Sequence, residues 1–227
     1  MKLEKVTSES RRRYDDACGT AHALDLIGER WSMLVMRELM LGPRRFGDLR
    51  SSLPGLSANV LTQRLEGLEE AGILRKRRLA PPASVQVYEL TDWGREAEPI
   101  IRGLGKWAAR SPLHDPTLPL SAVSLILSLR TMFEPDRAVD VDVTLGLTFG
   151  EERFAVRVRR GVLEADRGEA SSPDVTVSGR PDAFAGLIYG FLELEALERD
   201  GVLTVQGDRA ALARFITLWA LPPKAGA

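Results

Sequence analysis

The stretch Ser57–Leu90, SANVLTQRLEGLEEAGILRKRRLAPPASVQVYEL, decides the fold of the N-terminal half. Its first part has leucines at 61, 65 and 68, which the 3.6-residue period of a helix places on one face. Its second part has two short runs, 73–78 and 85–90, on either side of Pro81-Pro82. The stretch therefore predicts a helix capped by Ser57, followed by two strands joined at a corner.

Three further helices are predicted upstream of this stretch. They are a helix with Ala21, Leu24 and Ile27 on one face, an apolar helix from Trp31 to Gly42-Pro43, and a short helix with Phe46 and Leu49 that ends before Pro54-Gly55. Helices followed by a hairpin in this order are typical of a winged helix-turn-helix. In that fold one helix enters the major groove of DNA and the hairpin, or wing, contacts the backbone.

The exposed face of the predicted reading helix is polar. Asn and Gln side chains offer a donor and an acceptor together, which suits an adenine edge. Glu66 on the same face would be repelled by phosphate, so we expect it to lie beyond the groove. The residues predicted to contact bases are Ser57, Asn59, Thr62 and Gln63.

A second set of basic residues is predicted to contact phosphate. Four consecutive cations beside a tight hairpin can neutralise phosphates next to the groove, although in isolation such a run is often a solvated strand edge. Arg64 lies on the flank of the buried leucines, so packing is an alternative role for it. The full set is Arg44, Arg45, Arg64, Arg75, Lys76, Arg77 and Arg78.

Thr91 is predicted to cap a last helix in this half, and that helix has a long apolar stripe. A stripe of this length exceeds what so small a domain can cover, so we expect a homodimer surface, with core packing as the alternative. The stripe consists of Trp93, Ile100, Ile101, Leu104 and Trp107.

The net charge changes sign at the same place in the chain as a proline-rich segment. Residues 1–112 have 19 Lys/Arg against 15 Asp/Glu, a net charge of +4, whereas residues 113–227 have 12 against 17, a net charge of −5. Three prolines within Pro112–Pro119 forbid regular structure between the halves. We therefore predict two domains, 1–111 and 119–227, of which the first faces nucleic acid.

Spaced motifs in the first half resemble the HxlR-type family of bacterial regulators. The matching motifs are Cys18-x12-Trp31, Arg44-Arg45-Phe46-x-x-Leu49, Leu61-Thr-Gln-Arg-Leu65-x-x-Leu68-x-x-Ala71-Gly72 and Tyr88-x-Leu90-Thr91-x-x-Gly94. The resemblance implies a dimeric winged-helix transcription factor that binds a palindromic operator. It also implies oxidant or electrophile sensing at Cys18, for which a small buried apolar residue is the alternative. The wing tip Pro81-Pro82-Ala83 departs from the family pattern, because it has fewer polar residues than many such tips for a contact in the minor groove.

The second half predicts an antiparallel sheet with helices, an α+β domain. Residues 139–149 alternate apolar and polar, and a turn leads to a second strand whose apolar residues share the same face if Phe149 pairs with Phe154. Arg157 and Arg159 would then meet the acidic side of the first strand. The remaining predicted elements are strands near 162–166, 174–178 and 202–206 and helices near 121–133, 181–198 and 208–220.

This half resembles the sterol carrier protein 2-like domain. The resemblance rests on Val162-Leu-Glu-Ala-Asp-Arg-Gly-Glu-Ala, Pro173-Asp-Val-Thr-Val, a Phe/Leu-rich helix and Gly201-Val-Leu-Thr-Val-Gln-Gly-Asp208. It implies an apolar tunnel for a hydrophobic small-molecule effector, with a closed core as the alternative. The wall residues would be Phe184, Leu187, Ile188, Phe191 and Leu192.

Composition limits the remaining functions. One cysteine and two histidines argue against a metal centre or a redox cofactor, and no catalytic set is evident, so we expect no enzyme and no cofactor. We find no apolar run of membrane-spanning length and no signal-peptide core, and we expect a cytoplasmic protein. The predicted function is a dimeric DNA-binding regulator. The alternative is a lipid or small-molecule carrier whose winged helix is an interaction module.

Overall fold

The structure, a computed structural model, describes residues 14–226. The helices in this range are α1 (Gly19–Ile27), α2 (Ser32–Leu39), α3 (Phe46–Ser52), α4 (Ala58–Glu70), α5 (Asp92–Arg95), α6 (Glu98–Ala108), α7 (Ala122–Met132), α8 (Pro181–Ile188), α9 (Leu194–Arg199) and α10 (Arg209–Ile216), with a 3-10 turn at Pro135–Ala138. The strands are β1 (Leu74–Arg78), β2 (Gln86–Leu90), β3 (Asp142–Phe149), β4 (Glu152–Arg159), β5 (Val162–Arg167), β6 (Val175–Gly179) and β7 (Leu203–Gly207).

The N-terminal helices and hairpin agree with the sequence pattern. The α4 leucines 61, 65 and 68 are all buried, and Ser57 Oγ accepts a hydrogen bond from the Val60 amide at 3.3 Å as the helix cap. Strands β1 and β2 pair antiparallel with Leu74 opposite Leu90. The predicted helices, cap and wing are confirmed.

The helix predicted after Thr91 is divided in two. Thr91 Oγ1 accepts from the Gly94 amide at 3.0 Å, which confirms the cap, but α5 ends at Arg95 and α6 begins at Glu98. Pro99 lies in the first turn of α6, and a proline lacks the amide proton that a continuous helix needs. The proline therefore sets a new helix start.

The C-terminal half is an α+β domain built on a five-stranded sheet in the order β5-β4-β3-β6-β7. All neighbouring strands are antiparallel except β3 and β6, which are parallel. The apolar residues of β3 are buried, and Arg159 of β4 pairs with Asp142 at 3.1 Å, as the alternation predicts.

Two details of the hairpin formed by β3 and β4 differ from prediction. Strand β3 begins at Asp142, because Pro135 starts a 3-10 turn that places Val139 outside the sheet, 64% exposed. Phe149 pairs with Glu152, across the two-residue turn Gly150-Glu151, instead of with Phe154. The shift is two residues, so the apolar side chains keep their face.

The helix predicted at 181–198 also divides. Helix α8 ends at Ile188, and Gly190 adopts a φ of +74°, a left-handed conformation that glycine tolerates and that ends a helix. Helix α9 starts only at Leu194. The Phe/Leu-rich stretch is therefore two short helices with a turn between them.

Helix α7 joins the two halves through a continuous apolar core. It packs on α2 and α6 on one side and on β5 and α8 on the other. The adjoining polar contacts cross the same boundary: Ser121 Oγ donates to buried Glu38 at 2.7 Å, and Arg130 pairs with Glu98 at 2.9 Å.

Arg44 lies inside this junction. Its side chain is 7% exposed, pairs with Glu152 of β4 and donates to Ser52 Oγ at 2.8 Å. Arg167 of β5 also pairs with Glu152, at 2.7 Å. The predicted phosphate contact of Arg44 is therefore wrong, because its guanidinium binds the second domain instead of facing solvent.

We expect Arg44→Ala to lower the free energy of unfolding by about 1 to 3 kcal/mol, because the substitution removes charged hydrogen bonds from a buried site. Chemical denaturation measures the change. The control is Arg45→Ala at the neighbouring exposed position, which should alter stability by less than about 0.5 kcal/mol. Equal effects of the two substitutions would contradict this role for Arg44.

Candidate nucleic-acid interface

The solvent face of α4 presents the predicted base-contacting residues. Asn59, Thr62 and Gln63 are all exposed on it. The Thr62 hydroxyl donates to the Ala58 carbonyl at 3.0 Å, which leaves its methyl group as the outward feature. Ser57 Oγ is engaged as the helix cap but keeps its own proton to donate. The helix therefore offers two free amides at positions 59 and 63.

Each of the first three wing cations faces a carboxylate. Arg75 and Arg77 both pair with Glu89, at 2.7 and 3.0 Å, and Lys76 pairs with Glu69 at 3.0 Å. Glu89 is buried, whereas the three cations remain 39 to 62% exposed. Four cations against two carboxylates leave the wing with a net positive charge of two.

Arg78 is the cation of the run that makes no ion pair within residues 14–226. Its Nε donates to the Ser84 carbonyl at 3.3 Å, and it lines a groove of about 340 Å³ together with Lys76, Arg77, Ser84 and Gln86. A groove walled by three cations suits a phosphate group.

The two remaining predicted phosphate contacts differ from each other. Arg45 is exposed at the start of α3. Arg64 is 20% exposed and pairs with Glu29 at 3.1 Å, which ties α4 to the segment after α1. The geometry favours the packing role for Arg64 over its predicted phosphate contact.

Sequence reasoning missed the carboxylates that hold the wing. The pairing of Leu74 with Leu90 places Arg75 opposite Glu89 in the hairpin, and residues directly opposite on antiparallel strands interact. Counting the hairpin register would have found Glu89. Glu69 reaches Lys76 from the end of α4, a contact that needs the tertiary fold.

The predicted apolar stripe lies largely in solvent. Trp93, Ile100, Leu104 and Trp107 are 51, 64, 46 and 71% exposed, whereas Ile101 packs against the core. An exposed row of this size on α5 and α6 marks an interaction surface.

Cys18 is exposed at the position preceding α1. The alternative prediction, a buried apolar residue, is therefore wrong. Backbone hydrogen bonds from Thr20 and Ala21, with a further contribution from the Thr20 side chain, hold the pKa of the thiol below its ordinary value. An accessible thiol with a lowered pKa forms the reactive thiolate more readily.

The predicted ligand-wall residues do not form one wall. Phe184, Leu187 and Ile188 are buried in the core, where the Phe184 ring lies 6.3 Å from that of Phe149. Phe191 and Leu192 are about half exposed, in and after the turn that ends α8. The break at Gly190 separates the two groups, so the closed-core alternative describes the first three residues.

Comparisons with known proteins identify the family of the first half. A family model described as HxlR-like helix-turn-helix matches residues 26–114. The relative YvaP of Bacillus subtilis, named as an uncharacterized HTH-type transcriptional regulator, is 39% identical over 87 residues, which cover 38% of this chain and 80% of the relative. This chain belongs to the HxlR-like helix-turn-helix family. The HTH-type transcriptional regulator YodB of Bacillus subtilis, a second relative, is 34% identical over 38% of this chain and 77% of its own length.

The second half matches another family model, described as Alkyl sulfatase C-terminal, over residues 120–224. A solved sec-alkylsulfatase, Pisa1 from Pseudomonas sp., is 26% identical with a TM-score of 0.40, over 43% of this chain and 16% of its own. The resemblance to the sterol carrier protein 2-like family stays a prediction, since the match found for this half is to the alkyl sulfatase C-terminal family.

Two kinds of feature were not found in residues 14–226, the part of the chain that the structure describes. None of the helices described there is long and apolar enough to cross a membrane. The same residues contain no group of three or more His, Cys, Asp or Glu side chains placed to hold a metal ion.

We expect iodoacetamide to alkylate Cys18 at lower pH in the folded chain than in the unfolded chain. The lowered pKa means that the thiolate is present at a pH where an ordinary cysteine is still protonated. The rate of alkylation against pH, measured with and without denaturant, gives the two midpoints, and the single cysteine makes the signal unambiguous. A folded midpoint at or above the unfolded one would disprove the expectation.

Proposed function

We propose that the chain is a transcriptional regulator that binds a palindromic DNA operator as a homodimer, with α4 of each protomer in the major groove. The observation that carries the proposal is the exposed amide pair on a helix whose other face is locked by buried leucines, next to a cationic wing. The named HTH-type regulators among the relatives support the same role.

The roles of helix and wing follow from their chemistry. Asn59 and Gln63 can each make paired hydrogen bonds to a base edge, whereas Arg77 and Arg78 offer charge to the phosphate backbone. Arg45 extends the cationic surface at the start of α3. The ion pairs of Arg75 and Lys76 orient the wing. The pair of Lys76 with Glu69 is partly exposed on both sides, so Lys76 can exchange its carboxylate for a phosphate at small cost.

The homodimer is proposed from the stripe on α5 and α6. Four large apolar side chains in solvent favour burial against an equivalent surface, and a two-fold axis there would bring two α4 helices to successive major grooves. The alternative function, a small-molecule carrier, requires no duplex binding. Sequencing the DNA fragments retained by the purified protein tests the proposal and supplies the operator.

Two regulatory inputs belong to the same proposal. Residues 119–227 are proposed to form a sterol carrier protein 2-like domain, and the whole chain is proposed to take a hydrophobic small-molecule effector, which native mass spectrometry of the purified protein would detect as a retained ligand. Cys18 is proposed as an oxidant or electrophile sensor, supported by its exposure and lowered pKa. The pH profile of Cys18 alkylation tests the thiolate that this sensing needs.

Substitutions in α4 should affect base recognition, whereas substitutions in the wing should affect contact with the DNA backbone. Asn59→Ala or Gln63→Ala should cost about 1 to 3 kcal/mol on the operator and little on random duplex, because only hydrogen bonds to bases are removed. Arg77→Gln or Arg78→Gln should weaken both duplexes and reduce the slope of log affinity against log salt by about 0.9 for each phosphate that is no longer neutralised. Fluorescence anisotropy over a salt series measures both effects.

Matched controls lie on the second domain. Gln206→Ala removes an exposed amide there, and Arg153→Gln removes an exposed cation, so neither should change DNA affinity. If the α4 substitutions weaken both duplexes equally while the wing substitutions relax sequence choice, then the wing is the reader.

Leu104→Glu should convert the dimer to a monomer, because it places a charge in the centre of the apolar stripe. Analytical ultracentrifugation at micromolar concentration should give twice the 25.0 kDa chain mass for the wild type and a single chain mass for the variant. Leu113→Glu at an exposed position off the stripe should remain dimeric. A wild-type protein that sediments as a monomer would end the proposal of a dimer.

A further inference from the structure

A cavity lies between the two domains, away from the predicted ligand wall. It has a volume of about 560 Å³ and is bounded by one face of α6, the irregular segment 113–120 and one face of α7. Most of its lining is apolar, including Ile101, Leu120, Leu127 and Met132. This volume and composition are those of ordinary small-molecule sites.

Two hydroxyl groups meet on the wall of this cavity. Ser128 Oγ and the Tyr189 hydroxyl lie 2.5 Å apart, so one donates to the other. Burial raises the pKa of Tyr189 to about 12, so its hydroxyl keeps its proton at neutral pH. The pair therefore has two protons and uses one of them internally. Within residues 14–226 no protein acceptor takes the second proton, which remains available to an acceptor in the cavity.

A third hydroxyl group, that of Ser124, lacks a partner at this wall of the cavity within residues 14–226. Ser124 lies one helical turn before Ser128 on α7 and also lines the cavity. Its Oγ is buried and has no hydrogen-bond partner among the described residues. Buried polar atoms without partners are uncommon in folded proteins and call for an explanation such as a ligand or a water.

The two arginines around the cavity are already paired. Arg37 donates to Glu38 at 2.8 Å, and Arg102 pairs with Glu98 and donates to Thr131 Oγ1 at 3.2 Å. His114 and Asp115 are exposed on the linker side. An anionic ligand would lose its hydration without gaining an unpaired cation. A cationic ligand would meet only the Asp115 carboxylate, which is exposed to water and accepts hydrogen bonds from Thr117, so the lining favours a neutral molecule.

We propose that this interdomain cavity binds a neutral apolar molecule carrying one acceptor oxygen, such as a ketone or an alcohol, which receives a hydrogen bond from the Ser128–Tyr189 pair. Its role as the effector site rests on the proposed function, whereas occupancy of the cavity does not. The site differs from the predicted wall at Phe184 and Leu187, because its walls come from both domains.

The test uses a neutral fluorescent ketone, 6-propionyl-2-(dimethylamino)naphthalene, titrated into the full chain. Gly105 lines the cavity, and a Cβ built there meets no atom within 4 Å, so Gly105→Leu can fill the space without a backbone clash. Gly103, on the same helix but absent from the lining, is equally open, and Gly103→Leu is the matched control. We expect Gly105→Leu to weaken binding at least about tenfold and Gly103→Leu to leave it within about twofold.

The hydroxyl pair provides the second measurement. Either single substitution, Ser128→Ala or Tyr189→Phe, leaves one hydroxyl of the pair to donate, whereas the double variant removes both. We therefore expect a drop of about three- to tenfold in the double variant and a smaller drop in each single variant. The emission of the bound ketone should also shift further to the blue in the double variant, since its carbonyl loses the hydrogen bond.

Three results would overturn the proposal: no saturable binding by the wild type, equal binding by Gly105→Leu and Gly103→Leu, or an unchanged emission maximum in the double variant. Circular dichroism shows whether each variant is folded, and the double hydroxyl variant keeps the test valid if Gly105→Leu is not. Affinity for the operator, measured on the same variants without the ketone, reports the proposed DNA-binding function separately. Loss of one function can therefore be told from loss of the other.

Discussion

The burial of α7 is the constraint on which both halves of this molecule depend. Seven of its eleven residues are buried, and a helix that is apolar on most sides is stable only when other elements cover it. Helices α2 and α6 cover one side, and strand β5 and helix α8 cover the other. Separating the two domains would expose this helix to water, so the domains share one core despite the proline-rich segment between them.

Charge pairing then decides which basic residues remain free for a partner. Arg44 is fixed in the domain junction by Glu152, and Arg64 by Glu29, so neither adds to the outer surface. The wing pairs are more exposed, and exposed ion pairs contribute only about 0 to 1 kcal/mol. Phosphate can therefore replace Glu69 as the partner of Lys76 with little loss, whereas the buried Glu89 has to keep at least one of its two arginines.

The sequence predicted the elements whose signals are local. The leucine period of α4, the Ser57 and Thr91 caps, the wing hairpin and the alternation of β3 all follow from short-range geometry, and all are present. The pairing partner of a strand residue was predicted less well than the side of the sheet that the residue faces. The partner of Phe149 depends on the length of the turn at Gly150, whereas the side depends only on whether the shift is an even number of residues. The burial of Arg44 depends on a strand more than 100 residues away in sequence, and no local pattern contains that information.

The same limit explains why the cavity was predicted in the wrong place. A Phe/Leu-rich stretch suggests a pocket wall, but its residues fill the core of one domain, whereas the observed cavity needs surfaces from two domains. Helix α6 connects the proposed dimer surface with the proposed ligand cavity. Ile100 and Leu104 face the proposed dimer partner, whereas Ile101 and Gly105 line the cavity. In a dimer built on α6, the reading helices must match half-sites about 34 to 36 Å apart. A molecule that fills the cavity and tilts α6 would change that spacing, and so would affect DNA affinity without touching the DNA.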